Sequence, residues 1–438
     1  MTTPSKQSGH TLRPAIGAWG LAATVINITI GSSVFVFPAV AGAKLGPAAI
    51  LAYLVAAGAM ALIALCFAEA GSRVTGTGGA YAYVEAAFGP AVGWIVGLLI
   101  YLGVQLIAAA VVGTVFVRSI AVLVPAIGHG PLRVLVLAVI YATFAAVNVR
   151  GGAKTGARVV EAVTFAKLAP LALLIVVGAF ASRLDYLHWV GMPPLGDVGR
   201  MAMRLIYLFA GLESALSLSG ELRDPSRTVP RGVLGGLGLV TAIYLGVQLA
   251  AQGLLGPALG QHTEAPLADA ARVALGDVGG TIILIGAAIS TLGYLSADML
   301  ASPRVLFAMG QSGRLPRVLA RVHPRFDSPA VAIICHSALV LALAIVADFD
   351  TLTTLSSSAI LTIYLVSCAA TLVLRRRRVG ESGVALRLPG GPVIPLLAMA
   401  VVAALMSTLA LREIVALLIV IAGGIASYLI TSRKAAGP

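Results

Sequence analysis

The sequence predicts an all-α polytopic membrane protein of about twelve transmembrane helices. Ten of these form two inverted five-helix halves, and two more follow at the C-terminal end. Three observations carry this. Of 438 residues, 59% are hydrophobic and 11% charged, and the mean hydropathy is +0.99. A soluble domain has no interior large enough for so much apolar surface. Apolar runs of bilayer length recur along the whole chain, and the basic residues gather between alternate runs.

Taken in order, the spans read 15–42, 47–70, 81–115, 132–149, 158–181, 200–219, 230–255, 279–302, 329–347, 352–374, 392–409 and 411–431. A polar tail, 1–14, precedes the first. The third is too long for a perpendicular crossing and implies strong tilt or extension beyond the bilayer. Residues 15–181 make the first half, 200–374 the second, 392–431 the last two helices and 432–438 a short tail. Between spans, the basic segment Gln311 to Asp327 carries Leu315, Val318, Leu319, Val322 and Phe326 at helical spacing, which predicts a short amphipathic surface helix. The larger loop near 256–278 holds Glu264, Asp269 and Asp277.

Orientation follows from Lys and Arg. With the N-terminus inside, 21 of the 30 fall in inner segments, eight fall outside or near outer ends, and Lys167 lies within a span. That bias places both termini in the cytoplasm and requires an even number of spans. The formal charge of +13 is dispersed between apolar runs, so it reads as topology rather than as a nucleic-acid footprint. Cys66, Cys335 and Cys368 lie in apolar segments with neither disulfide nor zinc spacing. The absence of an organellar signal and the plain termini point to a bacterial inner membrane.

The first span contains "NITIGSSVFVFP", residues 27–38. Gly31, Ser32 and Ser33 are weak helix residues at mid-depth, where unpaired backbone is costly. A break here frees N–H groups at the start of the following half-helix, suited to a carboxylate, and carbonyls near Ile28, Thr29 and Ile30, suited to an ammonium. A simple kink or a small-residue helix contact reads the triplet equally well. A second interruption, "LFAGLESALSLSGE", sets Gly211 beside Glu213 in the sixth span. Paired interruptions at corresponding positions of two halves mark a transporter's site, and five spans per half make the repeat inverted.

With these stretches in view, the chain resembles the amino acid–polyamine–organocation (APC) permeases, which have the LeuT-type fold. "IGSSVFVFPA" is similar to the family's first-helix motif, "FAEAGSRVTGTGGAYAYVEAAFGP" to its second-to-third helix region, "FAGLESALSLSGELRDPSRTVPRG" to its sixth helix and following loop, and "RVLFAMGQSGRLPRVLARVHPRFDSPAVA" to the end of its eighth helix and inner loop. The resemblance covers nearly the whole chain. It implies that backbone N–H groups of Gly31, Ser32 and Ser33 hold a substrate carboxylate, that carbonyls of Ile28, Phe209 and Ala210 beside Gly211 receive the amino group, and that Phe209 covers the substrate. It also implies that Lys167, as in sodium-independent members, sets its ammonium where others bind sodium, so no sodium site and no cofactor are expected. Ser33 departs from the family's usual glycine, which implies a tighter pocket or an extra hydroxyl contact.

Glu213 has two readings: it carries a coupling proton, or it hydrogen-bonds free N–H groups at the broken sixth helix and repairs the break. The second is preferred. Asp298 reads as the partner of Arg304 near the cytoplasmic mouth, and His336 as a helix-packing residue. Glu69, Glu85 and Glu161 read as solvated or paired acids at inner span ends. Ser356, Ser357 and Ser358 are weaker candidates for the pathway. "TGTGGAY", 75–81, is a turn between spans rather than a nucleotide loop. No metal-ligand spacing or nucleophile constellation appears, which argues against a membrane enzyme, and polar breaks at one depth argue against a channel. The expected function is secondary active amino acid transport by alternating access, sodium-independent and driven by protons or by exchange. The alternative is a polyamine or organic-amine transporter or antiporter of the same fold. Expected partners are the small-molecule substrate and the lipid bilayer, with no nucleic acid. Monomer and homodimer both fit.

Overall fold

The computed structural model describes residues 12–121, 125–128, 130–189, 191–346, 349–380 and 385–435. Among these residues all longer elements are helical, and extended pairing amounts to one bridge between Ile16 and Leu222. Most of the tail 1–14, Lys6 included, and the last three residues of 432–438 lie outside the described residues.

Helix α1, Ala18–Thr29, stops where the Gly-Ser-Ser stretch begins; a 3₁₀ turn, Ser33–Phe35, leads into α2, Phe37–Leu45, and α3 follows at Ala49–Arg73. The overlong third span is divided. Gly89, at φ +89°, separates α4, Ala80–Phe88, from α5, Pro90–Leu98. Pro90 cannot donate back into the preceding turn, so the chain turns rather than tilting as one rod. Beyond α5 a π-helical stretch, Leu99–Gln105, passes into α6, Leu106–Ala121.

Helix α7, Gly130–Ala181, has 52 residues, which at about 1.5 Å each is more than twice a bilayer core. Its backbone breaks at Gly152 (φ +60°, ψ −167°), between the expected spans 132–149 and 158–181. A left-handed φ there suits the one residue without a Cβ. The sixth span is the most broken: α8, Leu195–Ile206, a 3₁₀ turn Tyr207–Phe209, α9, Leu212–Ala215, and a second 3₁₀ stretch Leu216–Glu221.

Then come α10, Pro225–Leu255, and α11, Pro266–Ala301, which is bent at Gly276. The larger loop near 256–278 is therefore partly helical. Helix α12, Pro303–Gln311, ends in the segment where a surface helix was expected, but that segment holds only a 3₁₀ turn, Arg317–Ala320. Gly313 at φ +75°, Pro316 and Pro324 prevent a continuous hydrogen-bond ladder there. Helices α13, Ala330–Val346, α14, Phe349–Arg376, α15, Val393–Met406, and α16, Leu411–Ala435, complete the chain. Helix α16 thus runs on into what the sequence reads as tail.

Eight of the helical stretches are long and apolar enough to cross a membrane, and three shorter apolar helices accompany them, among the described residues. Large apolar side chains such as Phe180, Val346 and Leu135 face outward, as a lipid-facing surface requires. Lys167, Glu213, Asp298 and Arg304 are buried instead. Helix α1 packs against α7, α10 and α11, and α3 packs against α8 and α10, so both broken segments lie inside the bundle.

Candidate functional site

The two breaks touch. Gly211 adopts φ +127°, and a Cβ there would lie 2.6 Å from Ile28 Cγ2 and 3.2 Å from the Ile28 carbonyl carbon. Only a glycine lets the backbone of the sixth span approach the first so closely. Around this contact lies a cavity of about 210 Å³, lined by Ile28, Thr29, Gly31, Ser32, Ser33, Tyr207, Leu208, Ala210, Gly211, Glu213 and Ser214, with Val104, Ala108, Val112, Tyr294, Ser356 and Ile360 from neighbouring helices.

The structure thus brings Ile28, Gly31, Ser32, Ser33, Ala210, Gly211 and Glu213 together. It does not place Phe209 on the cavity: that residue is 1% exposed, and its ring meets Tyr244 edge-on at 5.0 Å. Tyr207 takes the lining position instead. The 3₁₀ turn between the helices rotates Phe209 away, which hydropathy does not encode. Tyr294 and Ser214 escaped the sequence reading too. Tyr294 carried a usable signal, an aromatic hydroxyl four residues from Ser290 and from Asp298 on one helix face.

The chemistry at the break is a separation of donors from acceptors. The first N–H groups of the 3₁₀ turn at Ser33 have no partner within their own turn. Most carbonyls on the other side are taken. Tyr244 donates its hydroxyl to Thr29 O (3.0 Å) and Leu208 O (2.9 Å). Ser290 donates to Ile30 O and Gly31 O, both at 3.1 Å. Lys167, 0% exposed, donates its ammonium to Asn27 O (3.1 Å) and to Ile30 O. None of these three side chains takes the carbonyls of Ile28, Phe209 or Ala210. The amide of Asn27 donates to Val160 O at 2.8 Å and ties α1 to α7.

Glu213 folds back on its own break. Its Oε2 accepts from the Gly211 N–H (3.1 Å) and from the Tyr364 hydroxyl (2.9 Å). The carboxylate caps the short α9 at its start, where a negative group is favoured. Its Oε1 has no hydrogen-bond partner among the described residues.

At one end of the site the broken helices are latched. Ala15 and Ile16 donate N–H groups to Glu221 O (2.8 and 3.0 Å), and Arg223 N–H reaches Ile16 O (2.9 Å). The "TGTGGAY" stretch is a turn packed on this latch: Gly78 N–H donates to Ser217 O at 3.2 Å. Glu69 accepts from Arg73 (2.9 Å) and from Arg375 Nε (2.6 Å).

Asp298 does not pair with Arg304. Arg304 makes a two-point contact to Glu221, at 3.2 and 3.1 Å. Asp298 instead accepts from His336 Nε2 at 2.9 Å and from the Ser302 hydroxyl, so His336 is more than a packing residue. Of the three serines in α14, Ser356 lines the cavity, Ser358 borders a separate apolar pocket with Leu99 and Leu417, and the side chain of Ser357 lies outside the described residues.

Residues 16–432 match the family described as amino acid permease. The chain is 30% identical to the serine/threonine exchanger SteT of Bacillus subtilis (strain 168), covering 89% of both proteins. It is 27% identical to that organism's methylthioribose transporter, covering 99% of this chain and 96% of the relative. It is 26% identical to the branched-chain amino acid permease BcaP of the same organism, covering 97% and 94%.

Proposed function

Because the chain belongs to the amino acid permease family, and is therefore an integral membrane protein of amino acid transport, we propose that it is a secondary transporter moving a small or medium neutral amino acid by alternating access. The observation that carries this is the contact of Ile28 with Gly211 inside a cavity lined by the start of the turn after the first break on one side and by the carbonyl end of the first helix on the other. A zwitterion matches both poles: its carboxylate to the N–H groups of Ser32 and Ser33, its ammonium to the carbonyls of Ile28 and Ala210, while the Gly31 N–H is turned to Thr29 O at 3.0 Å and Phe209 lies off the cavity.

The architecture in this reading is twelve passes, five plus five inverted plus two, with both termini cytoplasmic in a bacterial inner membrane. Breaking α7 at Gly152 and joining α1 to α2 as one pass supports that count. The bundle carrying the two broken helices rocks against the rest around the central cavity. Lys167 supports independence from sodium, since its ammonium already supplies a cation to the carbonyls of the first break. No resident cofactor is required. Energy comes from a proton gradient or from exchange.

The cavity's size and its hydroxyls from Ser32, Ser33, Ser214 and Ser356 favour a compact, polar side chain. That accords with a relative named for serine and threonine exchange. A polyamine or organic amine fits less well, because Glu213, the carboxylate on the cavity, is engaged by Gly211 and Tyr364.

The test is uptake of labelled serine, threonine and leucine into vesicles holding the purified protein, with and without sodium, an inward proton gradient, or preloaded amino acid. Uptake in sodium-free buffer is expected. A strict sodium requirement overturns the Lys167 reading, and no amino acid uptake under any condition overturns the substrate class.

A further inference from the structure

The buried cluster of Asp298, His336 and Tyr101 takes no part in holding the broken helices. Their exposures are 2, 0 and 3%. His336 Nε2 lies 2.9 Å from Asp298 Oδ2, and Tyr101 Oη lies 3.2 Å from His336 Nδ1. The three come from α11, α13 and the π-helical stretch before α6. Arg304, the nearest guanidinium in sequence, is committed to Glu221.

Charge accounting then points to a missing proton. A carboxylate only accepts, so Nε2 carries the hydrogen it donates to Asp298, and Nδ1 accepts from the tyrosine hydroxyl. In that state the imidazole is neutral and the cluster holds one net negative charge, buried in an apolar bundle. Such a charge is stable only with a counter-charge. A proton added at Nδ1 makes the imidazolium–carboxylate pair neutral, and the Tyr101 hydroxyl turns round to accept from it. Other ionisable groups facing the cluster are Tyr294 of α11, Cys335 beside His336 on α13, and Tyr141 of α7, whose hydroxyl is engaged by Ala109 O. Glu213 of α9 faces Tyr294 from the cavity side. None of these is a cation.

Position ties the cluster to transport. Ser290, Tyr294 and Asp298 follow one another at four-residue spacing on one face of α11. Ser290 holds the carbonyls of the first break, Tyr294 lines the cavity, and Asp298 lies one turn further on. On the facing wall Tyr101 is followed three residues later by Val104, which also lines the cavity. Both walls of the substrate cavity therefore continue into the cluster.

We propose that Asp298 and His336 form a proton-binding site through which substrate movement is coupled to one proton, making this a proton symporter. This rests on the transporter reading above. The pair is already in contact at 2.9 Å; substrate closing on Tyr294 and Val104 and a proton on His336 favour the same arrangement of the walls, so each ligand raises affinity for the other.

Two readouts on one vesicle preparation, serine-loaded for the first and unloaded for the second, separate this proposal from the reading it rests on. Counterflow of labelled serine reports transport, and a trapped pH dye reports proton entry when serine is added outside unloaded vesicles. The wild type is expected to show both. His336→Gln keeps a donor for Asp298 and an acceptor for Tyr101 but cannot take the proton; it is expected to lose serine-driven acidification while counterflow persists. Asp298→Asn, which removes the charge, is expected to lose acidification likewise. Wild-type counterflow without acidification, or acidification by either variant at the wild-type rate, overturns the proton site and leaves the transporter reading standing. Failure of wild-type counterflow overturns the transporter reading itself.

Discussion

Lys167 donates its ammonium to the carbonyl of Ile30, the residue at which the first helix stops. A side chain 137 residues further along the chain thus completes a backbone ladder that the Gly-Ser-Ser stretch leaves open. Lys167→Ala removes this donor and strands the carbonyl of Asn27 in an apolar site, which costs about 1–3 kcal/mol. A fall in the melting temperature of the detergent-solubilised protein and loss of uptake are expected. Uptake at the wild-type level would falsify the bracing role.

Gly211→Ala forces a Cβ to within 2.6 Å of Ile28 Cγ2 at φ +127°. Strain at such a backbone position is of order 1–3 kcal/mol. The contact between the two broken helices opens, and serine affinity is expected to drop at least tenfold, the equivalent of about 1.4 kcal/mol. Equilibrium binding of labelled serine reads this, and unchanged affinity contradicts the central placement of the two breaks.

Glu213→Gln keeps an acceptor for both the Gly211 N–H and the Tyr364 hydroxyl, so it preserves the cap. Uptake is expected to survive with an unaltered pH profile, whereas Glu213→Ala loses it. A flattened profile in Glu213→Gln assigns the proton to Glu213 and removes it from His336.

Arg304→Met leaves the Glu221 carboxylate buried without its cation. Breaking such a pair costs about 3–5 kcal/mol. The double variant Arg304→Met, Glu221→Gln removes both charges, and thermal unfolding should show it less damaged than the single one. Equal damage means the latch depends on packing rather than on the charge pair.

Ser33→Gly restores the smaller residue at a cavity-lining position. Competition of leucine against labelled serine is expected to strengthen. If leucine competes no better, the Ser33 side chain does not limit substrate size.

Hydropathy and the two interruptions determined much of this protein by sequence alone. The bilayer makes long apolar runs helical, because no water is present to satisfy backbone groups in its core. The same rule makes Gly-Ser-Ser in the first span, Gly211 in the sixth and Lys167 in the fifth conspicuous, and these residues do meet around one cavity or brace it. Partner choice lay beyond the sequence. Asp298 and Arg304 are six apart, about 120° round a helix, and so face different neighbours. Which neighbours they meet depends on how α11 and α12 are rotated against α13 and the end of the sixth span. That rotation gave Asp298 to His336 and Arg304 to Glu221. The 3₁₀ turn within the sixth span likewise turned Phe209 towards Tyr244 and let Tyr207 onto the cavity. Periodicity along one helix reports which face is apolar; only packing decides what that face touches, because contacts between helices are set by the fit of many side chains at once.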